Sequence, residues 1–129
     1  SIVLSTFDLR ADDNGTKILA ALNCAAARGV KIQLLIDGIY QQLFLAGSSD
    51  FQALASYENV EVGVYNPVTP VNLFKVNYRM HDKYLIVDEK MYLWADATAM
   101  ISFWGIRQKA LMKTEISWCM IHQKDRESL

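Results

Sequence analysis

A strand–helix–strand unit at the start of the chain constrains its fold more than any other feature of the sequence. Residues 2–7 form a short apolar run that is typical of a buried strand. Residues 16–28 place apolar side chains on one helical stripe, and Gly29 is positioned to end that helix. Residues 30–36 are a near-continuous run of β-branched residues and leucine, typical of a strand covered on both faces. The unit predicts two parallel strands joined by a right-handed crossover, and therefore an α/β fold.

The middle of the chain is predicted to add a helix, a strand and a long loop. Ser49 and Gln52 form a capping box for a helix that extends to about Tyr57. Residues 60–65 alternate valine with other residues, which predicts a third strand. Residues 66–78 contain both prolines and show no clear period, which predicts a loop. After the hairpin described below, a short helix is predicted over residues 97–106 and a last strand over residues 114–121.

Length, charge and composition exclude several classes of protein. The chain has 129 residues, which suits a single domain over residues 1–129, and 52% of them are hydrophobic, enough to form a core. The net charge of −1 provides no field that attracts nucleic acid, and no apolar run is long enough to cross a bilayer. The two cysteines and two histidines lack metal-ligand spacing, so we expect no metal ion. The chain opens at Ser1 on a strand, and we interpret it as a domain excised from a longer protein.

A hairpin predicted over residues 81–94 carries the most informative side chains. His81 and Lys83 are two positions apart, so on a strand their side chains would leave the same face. A β-prone run, a polar turn that begins at Asp88 and a second β-prone run follow. We therefore expect an imidazole and an ammonium to project side by side from a rigid hairpin.

This pair of side chains suits chemistry on a phosphate. A neutral imidazole is a competent nucleophile or base near neutral pH. A neighbouring lysine neutralises the non-bridging phosphate oxygens and the charge that develops in the transition state. Residues 66–81 include Lys75 and Arg79 but no acidic residue, so the chain is basic at this point although it is neutral overall. A local patch of this size fits one or two phosphates better than a nucleic-acid strand, which needs an extended basic stripe.

The stretch 79–83, Arg-Met-His-Asp-Lys, with the apolar run after it, resembles the His-x-Lys-x4-Asp motif of the phospholipase D superfamily. The cardiolipin synthase branch is the most similar. Residues 25–37 resemble the helix–glycine–strand unit that these proteins carry before the motif, and residues 59–67 resemble their next strand. The resemblance covers nearly the whole chain. It implies an α/β fold in which a mixed, largely parallel sheet is flanked by helices.

The resemblance also implies a role for each matching residue. In the family one motif histidine attacks phosphorus to form a phosphohistidine, and a second histidine protonates the leaving alkoxide and then activates the acceptor. His81 is implied as one of this pair, Lys83 as the phosphate-binding cation, and Asp88 as a supporting, structural residue. Glu115 is the implied carboxylate that orients the imidazole and raises its basicity. An ordinary solvent-facing strand residue is the alternative interpretation of Glu115.

Substrate binding is implied for Arg79 and Thr98. Thr98 stands where the family normally carries asparagine, and Ala95 and Asp96 replace a glycine pair. A hydroxyl therefore replaces an amide donor, and an inward-pointing carboxylate would repel a phosphate. Two explanations stay open: a weakened half-site, or compensation by a neighbouring chain.

A single motif cannot supply both histidines of the family's mechanism. Two arrangements would supply the second histidine: a homodimer about a twofold axis, or a second motif-bearing domain in the same protein. The third possibility is a degenerate domain without activity. We expect the second arrangement.

The resemblance therefore implies a bacterial, cardiolipin synthase-like phosphatidyltransferase or phosphodiesterase that acts on an anionic phospholipid without a cofactor. A peripheral membrane association is expected from the resemblance alone. The alternatives are a dimeric, nonspecific endonuclease of the same superfamily and a degenerate scaffold or dimerisation domain. Two further interpretations stay open: Asp37 either contacts a ligand or is a turn residue before Gly38. Four apolar loop residues are expected to pack the loop rather than to meet acyl chains, namely Leu73, Phe74, Val76 and Tyr78.

Overall fold

One five-stranded sheet organises residues 1–94, which are the residues that the structure, a computed structural model, describes. The strands are β1 (Ile2–Thr6), β2 (Ile32–Asp37), β3 (Val60–Tyr65), β4 (Tyr84–Val87) and β5 (Met91–Trp94). The helices are α1 (Asp13–Ala27), α2 (Gly38–Tyr40) and α3 (Ser49–Ala55), with a π-helical turn over Gln41–Leu45 and a 3-10 helix over Pro70–Lys75. The elements predicted over residues 97–106 and 114–121 lie outside the described residues.

The order of the strands across the sheet is β3-β2-β1-β4-β5. β1 is parallel to β2, as the strand–helix–strand pattern predicted, and β2 is parallel to β3. β4 is antiparallel to β1, and β5 is antiparallel to β4. The prediction of an α/β fold with a mixed sheet flanked by helices is confirmed. The topology also brings the end of β1 and the start of β4 to the same edge of the sheet.

The hydrophobic core forms where one face of the sheet meets the helices. Ile2 and Leu4 alternate with the less buried Val3 along β1, and Ile2 pairs with Ile32 of β2 on the same face. Leu19 of α1 is fully buried in the same cluster. Each such side chain contributes roughly 1.5–3 kcal/mol when it is removed from water. The buried face thus fixes the register of the central strands, and with it the position of the strand ends.

The hairpin predicted at the motif is present, as β4 and β5 joined by a tight turn. Asp88 and Glu89 have φ angles of 52° and 56°, and the Lys90 amide donates to the Val87 carbonyl at 3.1 Å. Two successive positive φ values define the type I′ turn that matches the twist of paired strands. No helix within residues 1–94 has both the length and the apolar character that a membrane span requires.

Two local predictions were wrong in detail. The helix α3 is capped by Ser48 and not by Ser49, because Ser48 has an extended backbone and its hydroxyl accepts from the Phe51 amide at 3.4 Å. The predicted loop over residues 66–78 contains the 3-10 helix, which Thr69 caps by accepting from the Asn72 amide. Both features depend on backbone angles that the residue pattern does not specify.

Candidate active site

The ends of three strands and the beginning of a fourth lie next to one another on one side of the sheet. The strands β1, β2 and β3 end there, and the antiparallel β4 begins there. His81 and Lys83 lie in the irregular segment just before β4, not on a strand as predicted, because pairing with β1 stops at Ser5 and Tyr84. This edge is where α/β proteins concentrate their ligand contacts.

The ring of Phe7, immediately after β1, brings the two motif side chains together. The imidazole of His81 stacks on this ring with the centroids 4.8 Å apart and the planes inclined by 15°. The Lys83 ammonium nitrogen lies 5.7 Å from the centroid of the same ring. His81 itself is exposed, so its imidazole remains open to a ligand from solvent. One aromatic residue, which sequence patterns did not single out, therefore organises both groups.

Lys83 is a buried cation, with only 6% of the residue exposed. Its ammonium makes one long hydrogen bond, at 3.5 Å, to the His81 carbonyl, and no ion pair within residues 1–94 involves it. A buried ammonium is costly unless an anion or several hydrogen bonds compensate it. Residues 1–94 therefore leave the charge of Lys83 without an ionic partner.

The segment that leads into the motif is held by Asp37, the last residue of β2. Asp37 is completely buried, and its Oδ1 accepts from the Ile39 amide at 3.0 Å and from the Arg79 guanidinium at 3.1 Å. Its Oδ2 accepts from the Met80 amide at 3.3 Å. The carboxylate thus caps α2 and at the same time anchors the two residues that precede His81. Neither interpretation drawn from the sequence included this anchoring.

Asn66 holds the same segment from the end of β3. Its backbone is left-handed, with φ of 42°, and its side-chain amide donates to the carbonyls of Lys75 and Tyr78 at 2.8 and 2.9 Å. Its own carbonyl accepts from the second guanidinium nitrogen of Arg79 at 3.1 Å. Residues at the ends of β2 and β3 therefore hold the chain segment before His81 in place by backbone and side-chain hydrogen bonds.

Of the remaining predicted site residues, Arg79 is held within this cluster, Asp88 lies apart from it, and the others lie outside the described residues. Only 11% of the Arg79 side chain is exposed, and its contacts to Asp37 and Asn66 are internal, so substrate binding by Arg79 stays a prediction. Asp88 begins the turn at the other end of β4, five residues from Lys83, or about 16 Å along a strand. The Ser1 ammonium pairs with Asp88 and lowers the pKa of its carboxyl. Glu115 and Thr98, like Ala95 and Asp96, lie outside residues 1–94.

An aromatic cluster extends from the site along the edge of the sheet. Phe7 contacts Tyr40 with ring centroids 4.5 Å apart, and Tyr40 contacts Phe44 at 5.6 Å. The guanidinium of Arg10 covers the Phe44 ring at 4.8 Å and pairs with both oxygens of Asp8 at 2.7 and 3.0 Å. Asp8 raises the pKa of Arg10 through this pair. Within residues 1–94, no three acidic, histidine or cysteine side chains converge as a metal site would require.

Comparison with known proteins adds a family to this geometry. A family model described as "Cardiolipin synthase, PLD-like domain" matches residues 1–124. The chain is 35% identical over 96 residues to cardiolipin synthase B of Salmonella typhi, and 34% identical over 96 residues to cardiolipin synthase B of Escherichia coli K12. Each alignment covers 70% of this chain and 22% of the relative, so the chain spans about a fifth of these proteins. No solved structure matches the chain significantly.

Proposed function

The chain belongs to the family of phospholipase D-like domains of cardiolipin synthases, and we propose that it provides a half-site for phosphatidyl transfer or phosphodiester hydrolysis on an anionic phospholipid. The observation that carries the proposal is the placement of an exposed imidazole and a buried ammonium against one phenyl ring. Lys83 has no compensating carboxylate within residues 1–94, and a phosphodiester bound beside His81 would supply the missing negative charge.

The proposed reaction proceeds through a covalent phosphohistidine. A nitrogen of His81 attacks phosphorus, the bond from phosphorus to the leaving alkoxide breaks, and a second histidine gives that alkoxide its proton. An acceptor alcohol or water then loses its proton to the second histidine and displaces His81 from phosphorus. Lys83 stabilises the charge on the non-bridging oxygens in both steps, and this effect is worth the most in a site from which water is excluded.

The second histidine has to come from another motif-bearing domain, in the same protein or in a second copy of this chain. His122, the other histidine of the chain, lies outside the residues that the structure describes. The relatives are several times longer than this chain, which gives room for a second domain in them. Glu115 is proposed to orient the imidazole, and Thr98 to donate to the phosphate. A peripheral association with the membrane follows from a substrate that resides in the bilayer.

The direct test is covalent labelling by phosphatidylglycerol that carries radioactive phosphorus. We expect label that is stable in base and labile in acid, absent from His81→Ala and present in Asp82→Asn, whose side chain is the exposed neighbour of His81. Sedimentation of the same samples shows whether labelling requires a dimer. Turnover of the phospholipid with no trapped label at any time would refute the phosphohistidine.

The same samples decide between this proposal and its rivals. Binding of duplex DNA with a steep dependence on salt would favour a nuclease. Failure of inorganic phosphate and vanadate to bind at Lys83, together with absence of label, would favour a degenerate scaffold. The test for a degenerate scaffold is necessary because the residues usual in the family are replaced here by Ala95, Asp96 and Thr98.

A further inference from the structure

We propose that the loops beside the site form a surface that docks on an anionic lipid bilayer and presents His81 to the headgroups. This inference rests on the proposed function and deepens it, because it names where the membrane is contacted. The docking surface consists of the exposed apolar side chains in residues 43–44, 64–65 and 71–78. We call these residues the apolar rim.

The apolar rim contains nearly all of the large hydrophobic side chains that are exposed in the described part of the chain. Nine large hydrophobic side chains in residues 1–94 are exposed, and eight of them belong to the rim. Phe74 and Val71, on the 3-10 helix, are 96% and 87% exposed, and Leu43, on the π-helical turn, is 69% exposed. Scattered apolar residues on a surface need no explanation, but a concentration of them marks an interaction site. The expectation that Leu73, Phe74 and Tyr78 pack the loop was wrong, since all three are exposed.

The π-helical turn, which carries residues 43–44 of the rim, is linked to the loop that joins residues 64–65 to residues 71–78. The side-chain amide of Gln42 donates to the Val68 carbonyl in this loop at 3.0 Å. The loop also lies close to α2 at Gly38, where an added Cβ would lie 2.5 Å from the Pro67 Cα. These contacts hold the rim together without covering its apolar side chains.

The rim is continuous with the candidate active site on two sides. Phe44 of the rim connects through the Tyr40 and Phe7 rings to the imidazole of His81, with successive centroid distances of 5.6, 4.5 and 4.8 Å. Tyr78 of the rim directly precedes Arg79, which Asp37 anchors beside the motif. A bilayer in contact with the rim would therefore lie next to the group that has to meet phosphorus.

The charge of these segments complements an anionic lipid surface. Residues 38–47 and 62–81 contain no aspartate or glutamate, whereas Lys75 stands exposed in the middle of the rim. A lysine near an anionic membrane contributes about 1 kcal/mol, and tyrosines such as Tyr65 and Tyr78 suit the boundary between headgroups and acyl chains. The core of a protein interface is, by contrast, depleted in lysine. A protruding phenylalanine beside an exposed lysine therefore fits a bilayer better than a second protein.

The test measures co-sedimentation of the 129-residue chain with vesicles of phosphatidylglycerol and phosphatidylcholine. Val71→Ser with Phe74→Ser should weaken binding at least about tenfold, since burying one large apolar side chain is worth 1.5–3 kcal/mol. Lys75→Gln should weaken binding about fivefold to anionic vesicles and leave binding to pure phosphatidylcholine unchanged. Tyr92→Ser is the matched control, because Tyr92 is the one exposed large hydrophobic residue of residues 1–94 that lies outside the rim.

His81→Ala separates this inference from the proposed function. It should abolish covalent labelling and bind vesicles as the unmodified chain does, so that a failure of the chemistry leaves the docking result intact. Equal vesicle binding by the unmodified chain and by the Val71/Phe74 double variant would overturn the inference. The inference would also be overturned if altering the rim abolished self-association and left vesicle binding unchanged. The rim would then be an interface between copies of the chain.

Discussion

The carboxylate of Asp37 offers the sharpest test of how the site is held in position. It is fully buried, it accepts hydrogen bonds from the Ile39 and Met80 amides, and it pairs with a guanidinium that is only 11% exposed. Asp37→Asn keeps the size and removes the charge, so the cost should be about 1.5–3 kcal/mol, the range for hydrogen bonds to charged groups. Asp37→Ala leaves the Arg79 cation buried without its carboxylate partner and should cost about 3–5 kcal/mol.

The matched control is Asp8→Asn. Asp8 also pairs with an arginine, Arg10, but both side chains are far more exposed, so the expected cost is about 0–1 kcal/mol. Urea unfolding measures the stability of all three variants. A shift in the midpoint is converted to a change in the free energy of unfolding only where the slope of that free energy against urea concentration is unchanged. A cost for Asp37→Asn no greater than that for Asp8→Asn would refute the assignment of Asp37 as the anchor.

Activity distinguishes anchoring from stability alone. If Asp37 positions His81, Asp37→Asn should lose more phospholipid turnover than the loss of folded protein explains. Both quantities are compared with the unmodified protein, under conditions where the variant is still folded. A misplacement of about 1 Å can reduce a rate about a hundredfold. Turnover that follows the folded fraction alone would show that Asp37 stabilises the domain without positioning the motif.

Three further substitutions, one of them with its own control, test separate parts of the structure. Lys83→Met should lower phospholipid turnover about 10²–10³-fold, the usual loss for one electrostatic group. Urea unfolding should show no loss of stability, because a buried cation with no ion pair among residues 1–94 has been removed. Ser48→Ala should destabilise the domain by about 0.5–2 kcal/mol by removing the cap of α3, whereas Ser49→Ala should have little effect. In the 129-residue chain, where Ser1 carries a terminal ammonium, this ammonium lowers the pKa of Asp88 from 3.8. The small stabilisation is present above pH 3.8 and is lost as the pH falls through the lowered pKa, so Asp88→Asn should flatten the acid limb of an unfolding titration of this chain.

The parts of the fold that were predictable from sequence are those encoded by short-range periodicity. The strand–helix–strand unit and the hairpin of β4 and β5 follow from runs of apolar residues bounded by turn residues. The position of the α3 cap was not predictable, because Ser48 and Ser49 are equivalent as residue types and only the extended backbone of Ser48 selects it. The same limit applies to the 3-10 helix, which Pro70 and the Thr69 hydroxyl begin inside an aperiodic segment.

The proximity of His81 and Lys83 was predictable from the sequence, but the residues that hold them were not. The spacing of the motif places two groups near each other along the chain, whereas Phe7 reaches them only through the pairing of β1 with β4. The ion pair of Asp37 with Arg79 spans 42 residues and depends on the sheet order in the same way. The exposure of Phe74 could not be read from the sequence either, since an apolar residue in an aperiodic loop has no pattern that says which way it faces.

Three basic residues close in sequence thus have three different electrostatic situations, although the net charge of the chain is −1. Arg79 is neutralised internally by Asp37 and acts as a structural cation that fixes the chain before the motif. Lys75 is exposed on the apolar rim, where its charge can act only on a surface that approaches from outside. Lys83 is buried without an ion pair among residues 1–94, and in the proposed reaction its charge acts on the phosphate bound at His81. Burial and pairing, rather than the number of charges, therefore determine which cation can take part in chemistry.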